Sequence, residues 1–247
     1  MPPTSRPPAE LPERKTRTSL SSDDIYDRVK EMAAKFVFRP NERINEIELS
    51  KALSVSRTPL REVLNRLMVE GFLTREQNKG FVARSLNPQE ILDLYEFRRG
   101  IETSLVPLAC ERATDGQIDE LERFARESDQ VAPDEDAGRL VELDEEFHLR
   151  LARLSGNPEY VRALENVNAR IHYVRWIDMQ QRRPSTQAEH DEVIQALRRR
   201  SVADVTAILD RHIARRLEQI TDVVKSGYAE IYTRANGRAG VPGVVRR

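Results

Sequence analysis

The chain has 247 residues, of which 39% are hydrophobic and 33% are charged, and its formal net charge is −1. This length allows one large domain or two small ones, and the composition indicates a soluble, mostly helical protein. No run of about 18 apolar residues is present, which excludes a membrane-spanning helix, and the N-terminal segment lacks the apolar core of a secretory signal, so we expect a cytoplasmic protein.

The N-terminal part of the chain is more basic than the rest. Residues 1–86 carry 16 Lys and Arg against 12 Asp and Glu, whereas the remaining residues carry 24 against 29. A basic front and an acidic back fit a DNA-binding module joined to a domain with a different task. Residues 1–20 are rich in Pro, Arg, Glu and Ser and are expected to form a disordered tail. A helix over Asp23–Val37 follows, capped by Ser21 or Ser22.

The stretch from Asn45 to Arg84 has the pattern of a helix-turn-helix followed by a hairpin. Apolar residues recur at helical spacing on both sides of a Ser-Val-Ser turn, whose last residue, Ser56, is a good N-cap. Two short extended segments then flank a glycine-containing turn, which indicates a β-hairpin wing. The predicted elements are the helices Glu46–Ala52 and Arg57–Glu70 and the strands Phe72–Arg75 and Phe81–Arg84. With the preceding helix they form a winged helix-turn-helix domain over residues 21–86.

Polar and basic side chains lie where such a domain contacts DNA. An arginine can donate two hydrogen bonds to guanine, hydroxyl groups suit phosphates and base edges, and a glycine in the wing lets the backbone approach the duplex. The residues predicted to bind DNA are Ser56, Arg57, Thr58, Arg61, Lys79 and Gly80. The alternative is a small helical subdomain whose polar face is merely solvated.

The segment SVSRTPLREVLNRLMVEGFL and the wing after it closely resemble the winged helix-turn-helix of GntR-type bacterial transcription regulators. The resemblance covers about residues 22–85. In that family the residues that match Arg57, Thr58 and Arg61 contact the operator, and the wing residue that matches Gly80 approaches the minor groove. Ile47 stands where some FadR-like members carry a base-reading arginine, so the resemblance leaves the base preference open.

From Pro88 onward the pattern predicts helices and no strand. Asn87 is an N-cap and Pro88 a first helical residue, and the Ser-Gly-Asn-Pro break at 155–158 ends one helix and begins another. The predicted helices are 88–113, 115–130, 136–154, 158–180, 185–199 and 202–226. We therefore expect an antiparallel helical bundle over residues 88–226 with its own core, in which Cys110 is a small buried residue, and a loose tail over residues 227–247.

Four polar residues interrupt the apolar rows of this bundle. Asp144 and His148 lie one turn apart on one face of their helix, and His190 and His212 lie on apolar rows of two later helices. Buried imidazole and carboxylate groups need partners, and one divalent metal can serve all four while leaving positions open to a ligand. Taken singly, each histidine could instead be a hydrogen-bonded core residue, and the Asp-His pair a plain ion pair.

Residues 90–226 resemble the FCD ligand-binding domain of FadR-like regulators, which is an all-helical bundle. Many FCD members bind a metal through residues that match Asp144, His148, His190 and His212. The resemblance therefore implies a divalent cation, with zinc expected ahead of nickel or manganese. A small organic acid is a natural ligand next to such a metal, because a carboxylate can occupy an open coordination position while an arginine holds its other oxygen.

Arg98 is the first candidate for that arginine, because it stands on an apolar row and FCD relatives have a pocket-facing arginine here. Glu102, one turn later, could instead pair with it. Three further residues are predicted to contact the effector: Asn168, Trp176 and Thr186.

These features predict a mostly α protein, with a winged helix-turn-helix and hairpin wing followed by an FCD-like bundle. We expect a homodimeric transcription regulator, a repressor rather than an enzyme, that binds an inverted-repeat operator in double-stranded DNA and responds to a small organic acid. Two alternatives remain at this point. One is an architectural DNA-binding dimer without metal or effector, and the other is a metal-dependent hydrolase or lyase.

Overall fold

The computed structural model describes residues 20–130, 136–181, 187–217 and 222–227, together with residues 229 and 231. Within these ranges the chain is mostly helical, with one two-stranded antiparallel sheet near the N-terminus. The elements are α1 (Ser22–Ala34), α2 (Glu46–Leu53), α3 (Arg57–Val69), β1 (Leu73–Glu76), β2 (Gly80–Ala83), α4 (Pro88–Arg112), α5 (Asp115–Asp129), α6 (Ala137–Leu154), α7 (Pro158–Gln181), α8 (Gln187–Arg198) and α9 (Val202–Leu217). This confirms the predicted fold class.

The N-terminal winged helix-turn-helix domain, residues 21–86, is called the head below. Local capping signals determine where its helices begin. Ser21 caps α1 in a reciprocal capping box with Asp24, and Asn45 accepts hydrogen bonds from two backbone N–H groups of α2. Ser56 occupies the N-cap position of α3 in an extended conformation, but its side chain makes no capping hydrogen bond. The reason is partly chemical, since Pro59 stands at the third helical position and has no N–H to donate.

The hairpin wing is shifted by one residue from the predicted strands. β1 pairs with β2 in the register Leu73 with Ala83 and Glu76 with Gly80. Phe72 is excluded from β1 because its N–H bonds back to the carbonyl of Leu67 in α3, which closes the end of that helix. A core of its own, drawn from α1, α2, α3 and the hairpin, holds this head together.

The C-terminal helices form a bundle in which α4, α6 and α7 pack together and α4 also packs on α9. The predicted break before α7 is confirmed: Gly156 adopts a positive φ of +66°, and the Asn157 side chain accepts the N–H of Glu159 at 3.0 Å. Cys110 is buried in this second core, as expected. No helix in the described ranges is both long enough and apolar enough to cross a membrane.

Helical structure extends beyond the predicted limit at residue 226. Gly227 is still helical, and Ile231 is helical and buried in the core of the bundle. The hydroxyl of Tyr173 in α7 donates to the carbonyl of Gly227 at 3.3 Å, which ties this segment to the bundle. The predicted tail residues 232–247 and the predicted disordered residues 1–19 lie outside the described residues.

The head rests on α7 of the bundle. The side-chain amide of Asn166 donates to the carbonyl of Glu70, just beyond the end of α3, at 3.1 Å. Arg84, which follows β2, donates to the carbonyl of Arg170, and burial together with the nearby Arg170 lowers the pKa of Arg84 to about 9. The ring of Phe36, which follows α1, lies 5.2 Å from that of Tyr173, measured between centroids. One helix of the bundle therefore contacts the end of α3, the residue after the wing and the segment after α1.

Candidate functional site

Four of the six residues predicted to contact DNA belong to α3 or to its N-cap. Ser56, Arg57 and Thr58 are exposed at the start of α3. Arg61, one turn later, is also exposed and forms an ion pair with Glu46 of α2 at 3.1 Å. The start of α3 therefore exposes hydroxyl and guanidinium groups, which is the chemistry that base edges and phosphates require.

The wing offers an open backbone and one more cation. Gly80 has a φ of +77°, and apart from its two chain neighbours no described residue has an atom within 4 Å of the position that a Cβ would occupy. Lys79 is exposed and pairs with Glu76 at 2.5 Å. Arg61 and Lys79 are thus each paired with a carboxylate, and a DNA phosphate would have to compete with that carboxylate for the cation.

The four predicted metal ligands converge on one buried point. Each of Asp144, His148, His190 and His212 is buried, and one candidate ligand atom from each lies within 4.8 Å of those of the other three. Asp144 Oδ1 lies 3.5 Å from His190 Nε2, and its Oδ2 lies 3.7 Å from His148 Nε2. α6, α8 and α9 bring the groups together, so the cluster exists only when the bundle is packed.

Neighbouring side chains orient the three imidazole rings. His148 Nδ1 is 2.5 Å from Glu102 Oε2 of α4, and His212 Nδ1 is 2.7 Å from Glu189 Oε2 of α8. The ring of His190 stacks on Phe147 with 3.8 Å between centroids. In two of the rings Nδ1 is thus engaged by a carboxylate, and in His148 the other nitrogen, Nε2, lies beside Asp144.

The charges of the cluster favour an ionised aspartate and a neutral imidazole. Burial alone would raise the pKa of Asp144, but Arg175, together with His190 and His148, holds it well below its usual range. Burial lowers the pKa of His148 to about 4, and Glu102 opposes this only in part. Burial also lowers the pKa of His212. A carboxylate and neutral imidazoles are the forms that bind a cation.

The residues fit a divalent metal by the chemistry of their unused atoms. Nε2 of His148 and Nε2 of His190 are buried and have no hydrogen-bond partner among the described residues. Buried polar atoms of this kind are costly unless something binds them. Ligand atoms about 2.0–2.2 Å from a tetrahedral metal lie about 3.4 Å apart, which is close to the 3.5 and 3.7 Å that separate Asp144 from two of the rings.

A small cavity adjoins the cluster and is lined by two guanidinium groups. Its lining includes Arg98, Arg175, Tyr95 and His212, and its volume is about 10 Å³, room for about one water molecule. Arg98 Nε pairs with Glu102 at 2.5 Å, while its buried Nη2 has no hydrogen-bond partner in the described ranges. Arg98 therefore pairs with Glu102 and also lines the cavity, while its role in holding an effector stays a prediction.

The other predicted effector contacts are placed differently. Asn168 is buried on α7, and neither polar atom of its amide is hydrogen-bonded to any described residue. Trp176 stacks on Tyr173 at 5.8 Å between centroids. Neither residue is among those that line the cavity beside the cluster. Thr186 lies outside the described residues.

Two residues beside the cluster, Arg175 and Glu189, were not predicted from the sequence. Arg175 contacts Asp144 and also Glu145, which lies 3.2 Å away. The sequence could have indicated that Arg175 is buried, because it stands seven residues after Asn168 on a row of α7 that includes the buried Ile171. The contact of Glu189 could not have been predicted in this way, because nothing in its local sequence pattern shows that His212 of another helix lies beside it.

Known family models match both the N-terminal and the C-terminal part of the chain. The model described as "Bacterial regulatory proteins, gntR family" matches residues 21–82, and the FCD domain model matches residues 93–215. The Nta operon transcriptional regulator of Aminobacter aminovorans is 46% identical over 203 residues, which cover 82% of this chain and 96% of that protein. The HTH-type transcriptional repressor RspR of Escherichia coli is 21% identical over 210 residues, 84% of this chain and 90% of that protein.

Solved structures share the fold. A putative GntR transcriptional regulator from Rhodococcus sp. RHA1 superposes with a TM-score of 0.65 at 22% identity, covering 81% of this chain and 97% of that one. E. coli McbR/YncC superposes with a TM-score of 0.63 at 17% identity, covering 87% and 98%. With its N-terminal winged helix-turn-helix and its C-terminal FCD domain, the chain belongs to the GntR family of bacterial regulators and is a DNA-binding transcription regulator.

Proposed function

We propose that this regulator binds an inverted-repeat operator as a homodimer, represses transcription in the cytoplasm, and is controlled by a small carboxylate that binds beside a divalent metal in the FCD domain. It carries out no catalysis of its own. The observation that carries the proposal is the convergence of Asp144 and three imidazoles next to two guanidinium groups. Repression is supported by the relative RspR, which is named as a repressor.

The operator would be read by the exposed end of α3 and the wing. Arg57 and Arg61 stand where a guanidinium reaches the major groove, and Ser56 and Thr58 suit phosphates beside it. A two-fold symmetric dimer then presents two such heads to two half-sites, which is why an inverted repeat is expected.

A gel-shift titration on DNA upstream of the protein's own gene tests this half of the proposal. Arg57→Ala and Arg61→Ala should each weaken operator binding by about 5- to 150-fold, because a bidentate base contact contributes about 1–3 kcal/mol. Arg126→Ala is the control, because Arg126 is an exposed arginine on α5, away from the head. An unchanged shift in both head variants would falsify the assignment of α3 as the recognition helix.

The metal would be held by Asp144, His148, His190 and His212, with zinc expected first and nickel or manganese as alternatives. When bound, it supplies positive charge and an open position for an acid. The protein itself contributes Arg98 and Arg175, whose guanidinium groups can bind a carboxylate in a bidentate manner. Because the cavity has room for about one water molecule, a small acid can enter only when lining side chains move.

Helix α7 is the expected route between the pocket and the head. Arg175 lines the pocket and pairs with Asp144, while Asn166 and Arg170 of the same helix contact the end of α3 and the residue after the wing. A ligand changes operator affinity only if it binds the two arrangements of the heads differently. A ligand that draws Arg175 away from Asp144 would act on the helix on which the head rests.

Metal analysis and a thermal-shift screen test the sensing half. Protein purified without chelator or metal-affinity tag should contain a divalent metal, and His148→Ala should lose it. Succinate, citrate and gluconate should be screened with metal and after chelation, and a responsive acid should change operator affinity about 5–150-fold. Arg98→Lys should abolish the response while retaining metal.

The neighbouring Arg99 provides a matched control for that variant. It is about half-exposed and pairs with Asp210 on the surface, so Arg99→Lys should respond to the acid like the wild type. Metal-free wild-type protein together with an unaltered His148→Ala variant would instead favour an architectural DNA-binding dimer.

A further inference from the structure

Two carboxylates outside the metal-ligand set contact the ligand imidazoles from behind. Glu102 of α4 is 1% exposed, and its Oε2 lies 2.5 Å from His148 Nδ1. The side chain of Glu189 of α8 is 12% exposed, and its Oε2 lies 2.7 Å from His212 Nδ1. Neither glutamate belongs to the four-residue cluster itself.

An ionised carboxylate accepts hydrogen bonds and cannot donate them, so a neutral histidine beside it must carry its proton on the nitrogen that faces the carboxylate. The other nitrogen then keeps a free lone pair. In His148 that other nitrogen is Nε2, which is 3.7 Å from Asp144 Oδ2 and has no hydrogen-bond partner among the described residues. The glutamates thus select the ring form in which the lone pair points at the cluster.

Arg98 makes this arrangement stronger on the Glu102 side. Its Nε lies 2.5 Å from Glu102 Oε1, so one carboxylate is shared between a guanidinium and an imidazole, and all three groups are buried. The guanidinium keeps the carboxylate ionised and fixes its plane. Glu102 therefore connects the predicted effector anchor, Arg98, with a predicted metal ligand, His148.

From these contacts we infer that Glu102 and Glu189 are positioning residues that hold His148 and His212 in the tautomer and orientation needed to bind the metal. The inference rests on the proposed metal site and adds the residues that set its affinity. Outer carboxylates that accept an N–H from a metal-binding histidine raise the basicity of the ring and typically contribute 10- to 100-fold in metal affinity.

Substituting glutamine is informative because it keeps the size of the side chain. In Glu102→Gln the amide oxygen should pair with Arg98, which can only donate, so the amide NH₂ would face His148 Nδ1. The ring would then have to accept at Nδ1 and carry its proton on Nε2, the atom that faces the cluster. We expect Glu102→Gln to weaken Zn²⁺ binding by about 100-fold and Glu189→Gln, which water can partly replace, by about 10-fold.

The test measures Zn²⁺ affinity of the full-length protein by competition with a chromophoric chelator. Glu146→Gln is the matched control, because Glu146 lies on α6 near the ligands but pairs with Arg150 and Arg153 at the surface. Its affinity should equal that of the wild type. Glu189→Asp, which keeps the charge, should recover part of the loss seen in Glu189→Gln.

A second readout separates positioning from a merely structural role. Nitrogen-15 shifts of the histidine rings in the metal-free protein report which nitrogen carries the proton. The wild type should show Nδ1-protonated rings for His148 and His212, and Glu102→Gln should convert His148 to the Nε2-protonated form. If Glu102→Gln does not fold, the more exposed Glu189 carries both measurements.

The outcomes distinguish this inference from the proposed function. A wild-type protein that binds no Zn²⁺ overturns the proposed metal site and the inference with it. A wild-type protein that binds Zn²⁺, with glutamine variants that bind it equally well and keep the wild-type ring forms, overturns the positioning role alone.

Discussion

Replacing Gly71 with alanine tests the contact between the end of α3 and the bundle. Gly71 follows α3 with a φ of +82°, and a Cβ there would lie 2.9 Å from Cζ and 3.1 Å from Nε of Arg170. Gly80 in the wing has nearly the same φ, +77°, but apart from its two chain neighbours no described residue has an atom within 4 Å of its Cβ position. Both alanine variants carry the strain of a left-handed backbone, about 1–2 kcal/mol, and only Gly71→Ala must also displace a guanidinium.

The additional cost follows from the surroundings of Arg170. Its Nε is buried without a hydrogen-bond partner in the described part of the chain, and burial lowers the pKa of this arginine. Arg170 is only partly buried and its guanidinium is the far end of a flexible side chain, so we expect the lower end of the usual overpacking cost, about 1 kcal/mol. Since 1 kcal/mol shifts the melting temperature of a domain of this size by about 2–4 °C, Gly71→Ala should melt about 2 °C below Gly80→Ala.

Thermal unfolding followed by circular dichroism measures this difference in metal-free protein. The double variant Gly71→Ala/Arg170→Ala should melt closer to Arg170→Ala alone than Gly71→Ala does to the wild type, because the crowding is removed. Equal melting temperatures for Gly71→Ala and Gly80→Ala would show that Arg170 does not pack against the end of α3. Helix α7 would then have one contact fewer with the head.

Three further predictions concern stability and DNA binding. Burial lowers the pKa of His148 from its ordinary 6.5 to about 4, so the unfolded chain binds a proton more readily than the folded protein does. The free energy of unfolding of the metal-free protein, measured in urea, should therefore fall by about 2 kcal/mol between pH 7 and pH 5. A free energy of unfolding that does not change over this range contradicts the prediction. Tyr26→Phe removes a 2.6 Å hydrogen bond to a carboxylate at the end of α3 and should cost about 1–2 kcal/mol in the same assay, whereas Tyr160→Phe, with a 3.5 Å contact, should be near neutral. Glu46→Gln releases Arg61 and should strengthen operator binding by up to about 5-fold at low salt, less at high salt; weaker binding would mean that Glu46 holds Arg61 in place for DNA.

Local rules predicted most of the element boundaries. Asn157 and Pro158 begin α7 where the cap and the proline predict it, because both act within one helical turn. The wing is off by one residue because its ends depend on neighbours. Phe72 bonds back to α3, and Arg84 leaves the hairpin to reach α7. Neither partner can be read from the strands themselves.

The predicted metal ligands also depend partly on local sequence and partly on tertiary packing. Asp144 and His148 share a face because they are four residues apart, which is a property of the helix alone. Their meeting with His190 and His212 was expected from the positions of all four residues on apolar rows and was supported by the family resemblance, and it requires three helices to pack at the right heights. Glu189 and Arg175 show how far local reasoning reaches, since both act on residues of other helices.

By itself, the amino-acid sequence determined the order of helices, the head with its wing, the exposed arginines of α3 and the polar residues that interrupt apolar rows. These depend on periodicity, caps and turns, which act over a few residues. Tertiary structure alone decided which carboxylate orients which imidazole, which guanidinium lines the cavity and which helix supports the head. Those contacts join residues from 23 to 96 positions apart, and only the packed bundle brings them within hydrogen-bonding distance.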